Sequence, residues 1–131
     1  GTLLEGIQLW GELKPHLTGD AIKQRVRELA RWSIAKGTLA IRSHVDTSDP
    51  RMINVDALIE VREELKPYID IQLVAFPQDG FFRSPGAADN LTRALDKGVD
   101  VVGGIPHFER TMEDGARSAE AIISAWRSIR D

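Results

Sequence analysis

The chain has 131 residues, a formal net charge of −3, 28% charged residues and no cysteine. Its length and mixed composition are typical of about one globular domain and argue against disorder. The lack of cysteine excludes disulfides, thiolate zinc sites and a cysteine nucleophile. No apolar run approaches the ~18 residues of a membrane span. The mildly acidic charge gives no support for nucleic-acid binding.

The first residues of the chain, Gly1 to Glu5, do not contain the basic segment that begins a signal peptide. A cysteine-free composition also fits a reducing compartment, so we expect a cytoplasmic protein. The chain does not begin with Met. This predicts that it was trimmed or that it is a part of something longer.

Proline and glycine residues divide the chain into alternating helices and strands. In chain order, the spacing of apolar residues predicts a short helix near 4–10, a helix after a Thr18 cap with Gly37 past its end, a strand over 38–43, a helix over 55–65, a strand over 69–76, a short helix near 91–95, a strand over 99–103 and a last helix near 119–129. Strands separated by helices predict a parallel sheet with right-handed crossovers. Three strands cannot close a barrel, which needs about eight, so the pattern indicates a slice of a larger α/β fold.

Several side chains are expected to pack in the interior of this fold. The helix after Thr18 should bury Leu29 together with its other apolar residues, and the three tryptophans should pack on helices. The apolar strand residues should need a covering layer; they include Leu39, Ile41, Leu73, Ala75 and Val101. The two open edges of a three-stranded slice predict association with further protein.

Polar side chains follow the predicted strands, at the edge where parallel α/β folds place their sites. His44 with Asp46, and His107 with Glu109, have a spacing at which two ligands could converge on a metal. A third ligand is not evident. The simpler interpretation is a hydrogen bond at the start of a loop for His44 and Asp46, and the lining of a cleft for His107 and Glu109.

Gln78 follows the clearest strand, after Pro77 has ended its pairing. An amide carries donors and an acceptor, a combination that can recognise the edge of a heterocycle. The alternative is a turn glutamine bonded to the backbone, which the spacing alone favours. Gly103-Gly104 does not match a nucleotide-binding loop, and the serines are not in a hydrolase nucleophile motif.

Four stretches of the chain resemble the bacterial cytosine deaminase family of the amidohydrolase superfamily. They are GTLLEGI at 1–7, RSHVD at 42–46, IDIQLVAFPQDG at 69–80 and DVVGGIPHFE at 100–109, in the order and at about the spacing of the family. The resemblance covers nearly all of this chain but only part of a complete family member.

The resemblance implies an α/β fold that is a partial (β/α)8 barrel with about three parallel strands. Residues 1–131 would form an incomplete domain, from the helices after the first barrel strand to the helix after the fourth. The implied reaction is hydrolytic deamination of an aminopyrimidine or a related N-heterocycle, with iron or zinc activating water. In this resemblance Gln78 would hydrogen-bond the pyrimidine, the backbone of Leu3 would border the ring, and Phe76 would lie beside the pocket.

The metal ligands and the catalytic carboxylate of the family would lie outside residues 1–131. We therefore expect neither a catalytic residue nor a metal in this chain alone, which would be inactive by itself. The expected partners are a small N-heterocycle and the remainder of the barrel or further copies of the chain, without nucleic acid or membrane.

Three alternatives stay open at this point. The complete protein could act on another cyclic amine or amide, or the chain could be a catalytically dead binding or scaffold fragment. A small receiver-like α/β domain is the third, but its acidic cluster and its lysine are not found in the right order.

Overall fold

The structure, a computed structural model, describes residues 1–130. Its elements are α1 (Leu3–Leu13), a 3-10 turn (Lys14–His16), α2 (Gly19–Ala35), β1 (Ala40–Asp46), α3 (Ile53–Leu65), β2 (Asp70–Phe76), α4 (Ala87–Asp96), β3 (Val101–Val102), a second 3-10 turn (Pro106–Phe108) and α5 (Met112–Arg130). This is the order predicted from the sequence. Within residues 1–130, no helix combines the length and the apolar character needed to cross a bilayer.

The strands form a parallel sheet in the order β1-β2-β3, as predicted. Asp46 lies beside Phe76, and Val74 lies between His44 and Val101. Because the strands are in register, the ends of β1 and β2 meet at one edge of the sheet. The result is an open sheet with helices, which agrees with a part of a (β/α)8 barrel.

Local signals explain where the first helices begin and end. The Thr2 hydroxyl accepts a hydrogen bond from the backbone N–H of Glu5, and the Glu5 carboxylate accepts one from the backbone N–H of Thr2. Thr18 caps α2 in the predicted position by accepting from the N–H of Ala21. Gly37, just beyond α2, has a φ of +85°, a conformation that favours glycine.

The main core lies between one face of the sheet and the helices α3, α4 and α5. Leu73 and Ala75 of β2 are fully buried there, together with Val45, Val55 and Leu91. A smaller cluster joins α2 and α3 to the beginning of the sheet. These residues are the apolar positions that strand and helix periodicity predicts.

Four of the packing predictions are wrong. Trp32 is 61% exposed, so this tryptophan does not pack in the interior. Leu39 is 80% exposed and lies just before β1, which begins at Ala40. Val101 lies beside Val74, on the sheet face opposite to the core, and Val102 packs into the core instead. Leu29 is 60% exposed because α2 packs through a narrower stripe of its surface.

The start of α5 packs closely against the second 3-10 turn. A Cβ atom placed on Gly115 would lie 2.8 Å from the backbone carbonyl oxygen of Pro106, closer than carbon and oxygen can approach. Gly115 is therefore required by this close approach of two backbones. In the open helix α1, by contrast, a Cβ on Gly11 would meet nothing within 4 Å.

Candidate functional site

A cavity of about 550 Å³ opens where α1 faces the carboxyl ends of β1 and β2. Leu3 lines it from α1, His44 from β1, and Phe76 and Gln78 from the end of β2 and the loop that follows. The predicted substrate-binding residues Gln78, Leu3 and Phe76, which are far apart in the chain, thus lie on one cavity. Their role stays a prediction.

The position of Gln78 follows from the turn that ends β2. Pro77 is buried and ends the pairing, and the Gln78 N–H donates to the carbonyl of Phe76 at 3.0 Å. Gly80, with a φ of +91°, closes the turn by donating to the carbonyl of Pro77 at 2.9 Å. The turn is therefore held by backbone hydrogen bonds. Among residues 1–130, the structure gives the half-buried Gln78 amide no hydrogen-bond partner, so it is available to a ligand.

An aromatic pair forms the wall beside Gln78. The ring of His44 meets the ring of Phe76 edge-on, with centroids 5.0 Å apart and an interplanar angle of 86°. The two side chains share a sheet face because they are on adjacent strands, two register positions apart. Such a wall can contact the face or the edge of a flat ring.

The carboxylate of Asp46 does not act as the second metal ligand that its spacing from His44 suggested. Its Oδ2 accepts from the indole Nε1 of Trp10 at 2.7 Å and lies 2.9 Å from the Nζ of Lys14. Its Oδ1 accepts from the N–H of Ser48 at 2.8 Å. Both oxygens are engaged in holding the protein together, so metal ligation by this pair is not supported.

Lys14 lies outside the cavity lining but contacts Asp46, which is one of the lining residues. Its ammonium lies 2.9 Å from Asp46 and 2.8 Å from Asp79, and its side chain is only 12% exposed. Burial by itself would lower the pKa of Lys14, but hydrogen bonds to Asp79 and Asp46 outweigh it and hold the pKa above its ordinary value. Sequence reasoning missed this lysine, because nothing local signals that two acids distant in the chain surround it.

The second predicted pair is also separated by the fold. His107 is exposed and does not line the cavity. The carboxylate of Glu109 accepts from the backbone N–H groups of Phe81 and Phe82. Glu109 therefore anchors the loop after β2, and the two residues do not converge on a cleft.

The described residues do not fit a metal centre. Within residues 1–130, no three His, Cys, Asp or Glu side chains come together in a way that could hold a metal ion. We therefore assign no chemical step of this chain to a metal. The cavity offers an aromatic wall and an amide that has no hydrogen-bond partner in the described part of the chain, and these groups can bind and orient a small ring.

A parallel sheet that carries a cavity at its carboxyl edge is the arrangement found in α/β barrel enzymes. No protein-family model matches the chain. It is similar to 5-methylcytosine deaminase from Klebsiella pneumoniae, solved with 5-fluorocytosine: TM-score 0.95 and 37% identity over 97% of this chain and 31% of that one. N-isopropylammelide isopropylaminohydrolase from Burkholderia multivorans gives a TM-score of 0.65 and 35% identity over 74% of this chain and 25% of that one.

A curated relative agrees with these structures. N-isopropylammelide isopropyl amidohydrolase from Pseudomonas sp. (strain ADP) is 44% identical over 89 residues, which are 67% of this chain and 22% of the relative. The resemblance drawn from the sequence is thus confirmed: the structural neighbours are amidohydrolases, and most of this chain matches a segment of each of them. It spans less than a third of the length of each of these relatives.

Proposed function

We propose that this chain forms the substrate-orienting wall of a metal-dependent amidohydrolase that deaminates an aminopyrimidine or a related N-heterocycle. The observation that carries the proposal is the convergence of Gln78, Phe76 and Leu3 on one cavity, in a segment superposable on a 5-methylcytosine deaminase. The Gln78 amide, which has no hydrogen-bond partner among residues 1–130, supplies the polar contact that such a ring requires.

The chemistry of the wall fits a flat, polar-edged ring. The Gln78 amide can donate to a ring carbonyl and accept from a neighbouring ring N–H. Phe76, packed against His44, can contact the ring and exclude water from one side. The wall would thereby fix which ring atom faces the reacting centre, while the chemical step itself would use residues outside this chain.

The remaining parts of the proposal concern the complete protein. Residues 1–131 would be an incomplete barrel domain, from the helices after strand one to the helix after strand four. A divalent metal, iron or zinc, and a carboxylate that moves the proton would be supplied by other parts of the barrel. We propose a cytoplasmic location, no nucleic-acid or membrane partner, and coverage of the open sheet edges by the rest of the barrel or by further copies.

A second substrate class has a specific observation in its favour. The 44% identity to N-isopropylammelide isopropyl amidohydrolase exceeds the 37% identity to the methylcytosine enzyme, although it covers fewer residues. Hydrolysis of an N-alkylamino substituent on a triazine ring would release an amine instead of ammonia. The two proposed reactions therefore differ in a product that can be measured.

The test begins with the intact mass of the protein as produced by its source. A mass well above 14.5 kDa would show that the chain is part of a longer protein. That protein, loaded with iron or zinc, is then assayed with cytosine, 5-methylcytosine and N-isopropylammelide, and ammonia and isopropylamine are measured. Release of either product supports the proposal. Binding without any turnover on all three would favour the non-enzymatic fragment instead.

A further inference from the structure

Helix α1 forms part of the cavity wall but is weakly held by apolar packing. None of its residues is buried, and Leu3 and Leu4 are 68% and 67% exposed. The helix must be held in place mainly by polar contacts. Among residues 1–130, the hydrogen bonds that join α1 and the turn after it to β1 and to the loop after β2 come from Trp10 and Lys14.

Lys14 is the point at which three segments meet. Its ammonium joins the turn after α1 to Asp46, at the end of β1, and to Asp79, in the loop after β2. Ser48 also connects the two acids: its N–H donates to Asp46 at 2.8 Å, and its Oγ accepts from the N–H of Asp79 at 3.1 Å. Trp10 donates to the same oxygen of Asp46 that Lys14 contacts. The result is a closed polar network beside Gln78.

The charges make this network depend on the lysine. Asp46 has only 7% of its side chain exposed, and its negative charge is compensated by Lys14. Without the ammonium, Asp46 and Asp79 would remain as two acids with no cation between them. An enclosed carboxylate that loses its partner is strongly destabilised, so the local structure would open.

We infer that Lys14 is a positioning residue of the substrate site, which sets the distance between the α1 wall and the loop that carries Gln78. Asp79 follows Gln78 directly, so the bond from Lys14 to Asp79 restrains the turn on which the amide is mounted. Lys14 does not need to touch the substrate for this. The inference rests on the proposed function, since it assigns a role within that same site.

The first test compares two charge-removing variants in the complete, metal-loaded protein. Lys14→Met should raise KM and lower kcat/KM by about ten- to hundredfold, with a smaller change in kcat. The reason is that α1 and the loop with Gln78 would be misplaced relative to the substrate ring. Lys23→Met is the matched control: Lys23 also bonds a carboxylate, that of Glu60 at 3.0 Å, but Glu60 neither lines the cavity nor adjoins a residue that does. It should stay within about twofold of the wild type. Equal effects of both variants would overturn the inference.

The second test asks whether Lys14 acts through Gln78. In a Gln78→Ala background, Lys14→Met should have an effect of about twofold or less, because the group that it positions is gone. A fully multiplicative loss would overturn the inference. Lys14→Arg, which keeps the charge, should restore part of the lost kcat/KM. If Lys14→Met does not fold, Asp79→Asn replaces it, and an unchanged KM in that variant also counts against the inference.

A measurement that does not depend on catalysis, backbone hydrogen exchange, separates this inference from the proposed function. Backbone hydrogen exchange of residues 3–14 and 77–80 should become faster in Lys14→Met and stay unchanged in Lys23→Met. If the wild type turns over no heterocycle, the proposed function fails, but this exchange experiment still tests the anchor. Unchanged exchange in Lys14→Met overturns the inference even if the enzyme is active.

Discussion

Gln78→Ala would remove the free amide at the cavity while leaving the protein otherwise intact. The side chain is half-buried, and the structure gives it no hydrogen-bond partner within residues 1–130. The turn around it is closed by the backbone bonds of Gln78 to Phe76 and of Gly80 to Pro77, which alanine preserves. We therefore expect the free energy of unfolding to change by no more than about 0.5 kcal/mol.

The effect on catalysis should be much larger than the effect on stability. A substrate ring buried against the wall would lose the pairing of its carbonyl or ring nitrogen, which costs roughly 1–3 kcal/mol. Through the transition-state relation, this corresponds to a fall in kcat/KM of about one to two orders of magnitude. Gln78→Glu, which loses the donor and places a carboxylate against the ring carbonyl, should be no more active than the alanine variant.

The assay is product release by the complete, metal-loaded protein on its preferred heterocycle, with metal content measured in parallel. Gln24→Ala, on the exposed surface of α2, removes the same side chain outside the cavity and should behave like the wild type. Unchanged kinetics in Gln78→Ala would show that this residue only forms a turn. A loss of metal would show that it belongs to a different part of the site.

Three further predictions concern stability. Leu73→Ala, at a fully buried position of the main core, should lower the free energy of unfolding in urea by about 3 kcal/mol. Gly115→Ala should destabilise by about 1–3 kcal/mol because its Cβ would meet a backbone carbonyl, whereas Gly11→Ala should stabilise by about 0.5–1 kcal/mol. Hydrogen bonds from Arg51 lower the pKa of Asp49 in the folded protein. The ionised Asp49 should therefore stabilise the fold above its unfolded-state pKa of about 4, and this stabilisation should be lost as the pH falls through the lower pKa of the folded state. The unfolding midpoint of Asp49→Asn should depend less on acid pH than that of the wild type.

Each of these predictions has an outcome that would contradict it. Leu29→Ala, at a position that is 60% exposed, is the control for the core variant, and a comparable loss there would show that burial is not the cause. Glycine variants with effects of the same sign would argue against the close approach in α5. If the unfolding midpoints of the wild type and of Asp49→Asn fall equally with acid pH, the ion pair of Asp49 with Arg51 does not contribute to the pH dependence.

The order of the elements and the parallel sheet could be predicted from the sequence alone. These features depend on local signals, such as the cap at Thr18, the positive φ of Gly37 and the end of pairing at Pro77. Strand pairing also extends β3 toward the predicted 99–103, because Asp100 and Gly103 donate to backbone carbonyls of β2. The family resemblance, and not periodicity, selected Gln78, Leu3 and Phe76, which the structure places on one cavity.

Which polar residues hold the site together could not be predicted from the sequence, because it depends on the packing of distant segments. The spacing of Asp46 from His44 is the same whether its carboxylate faces a metal or a lysine, and only the packing of α1 brings Lys14 and Trp10 against it. Glu109 likewise became a loop anchor because the loop after β2 folds over it. Contacts between residues distant in the chain depend on how helices and loops are placed around the sheet. Local periodicity carries no information about that placement.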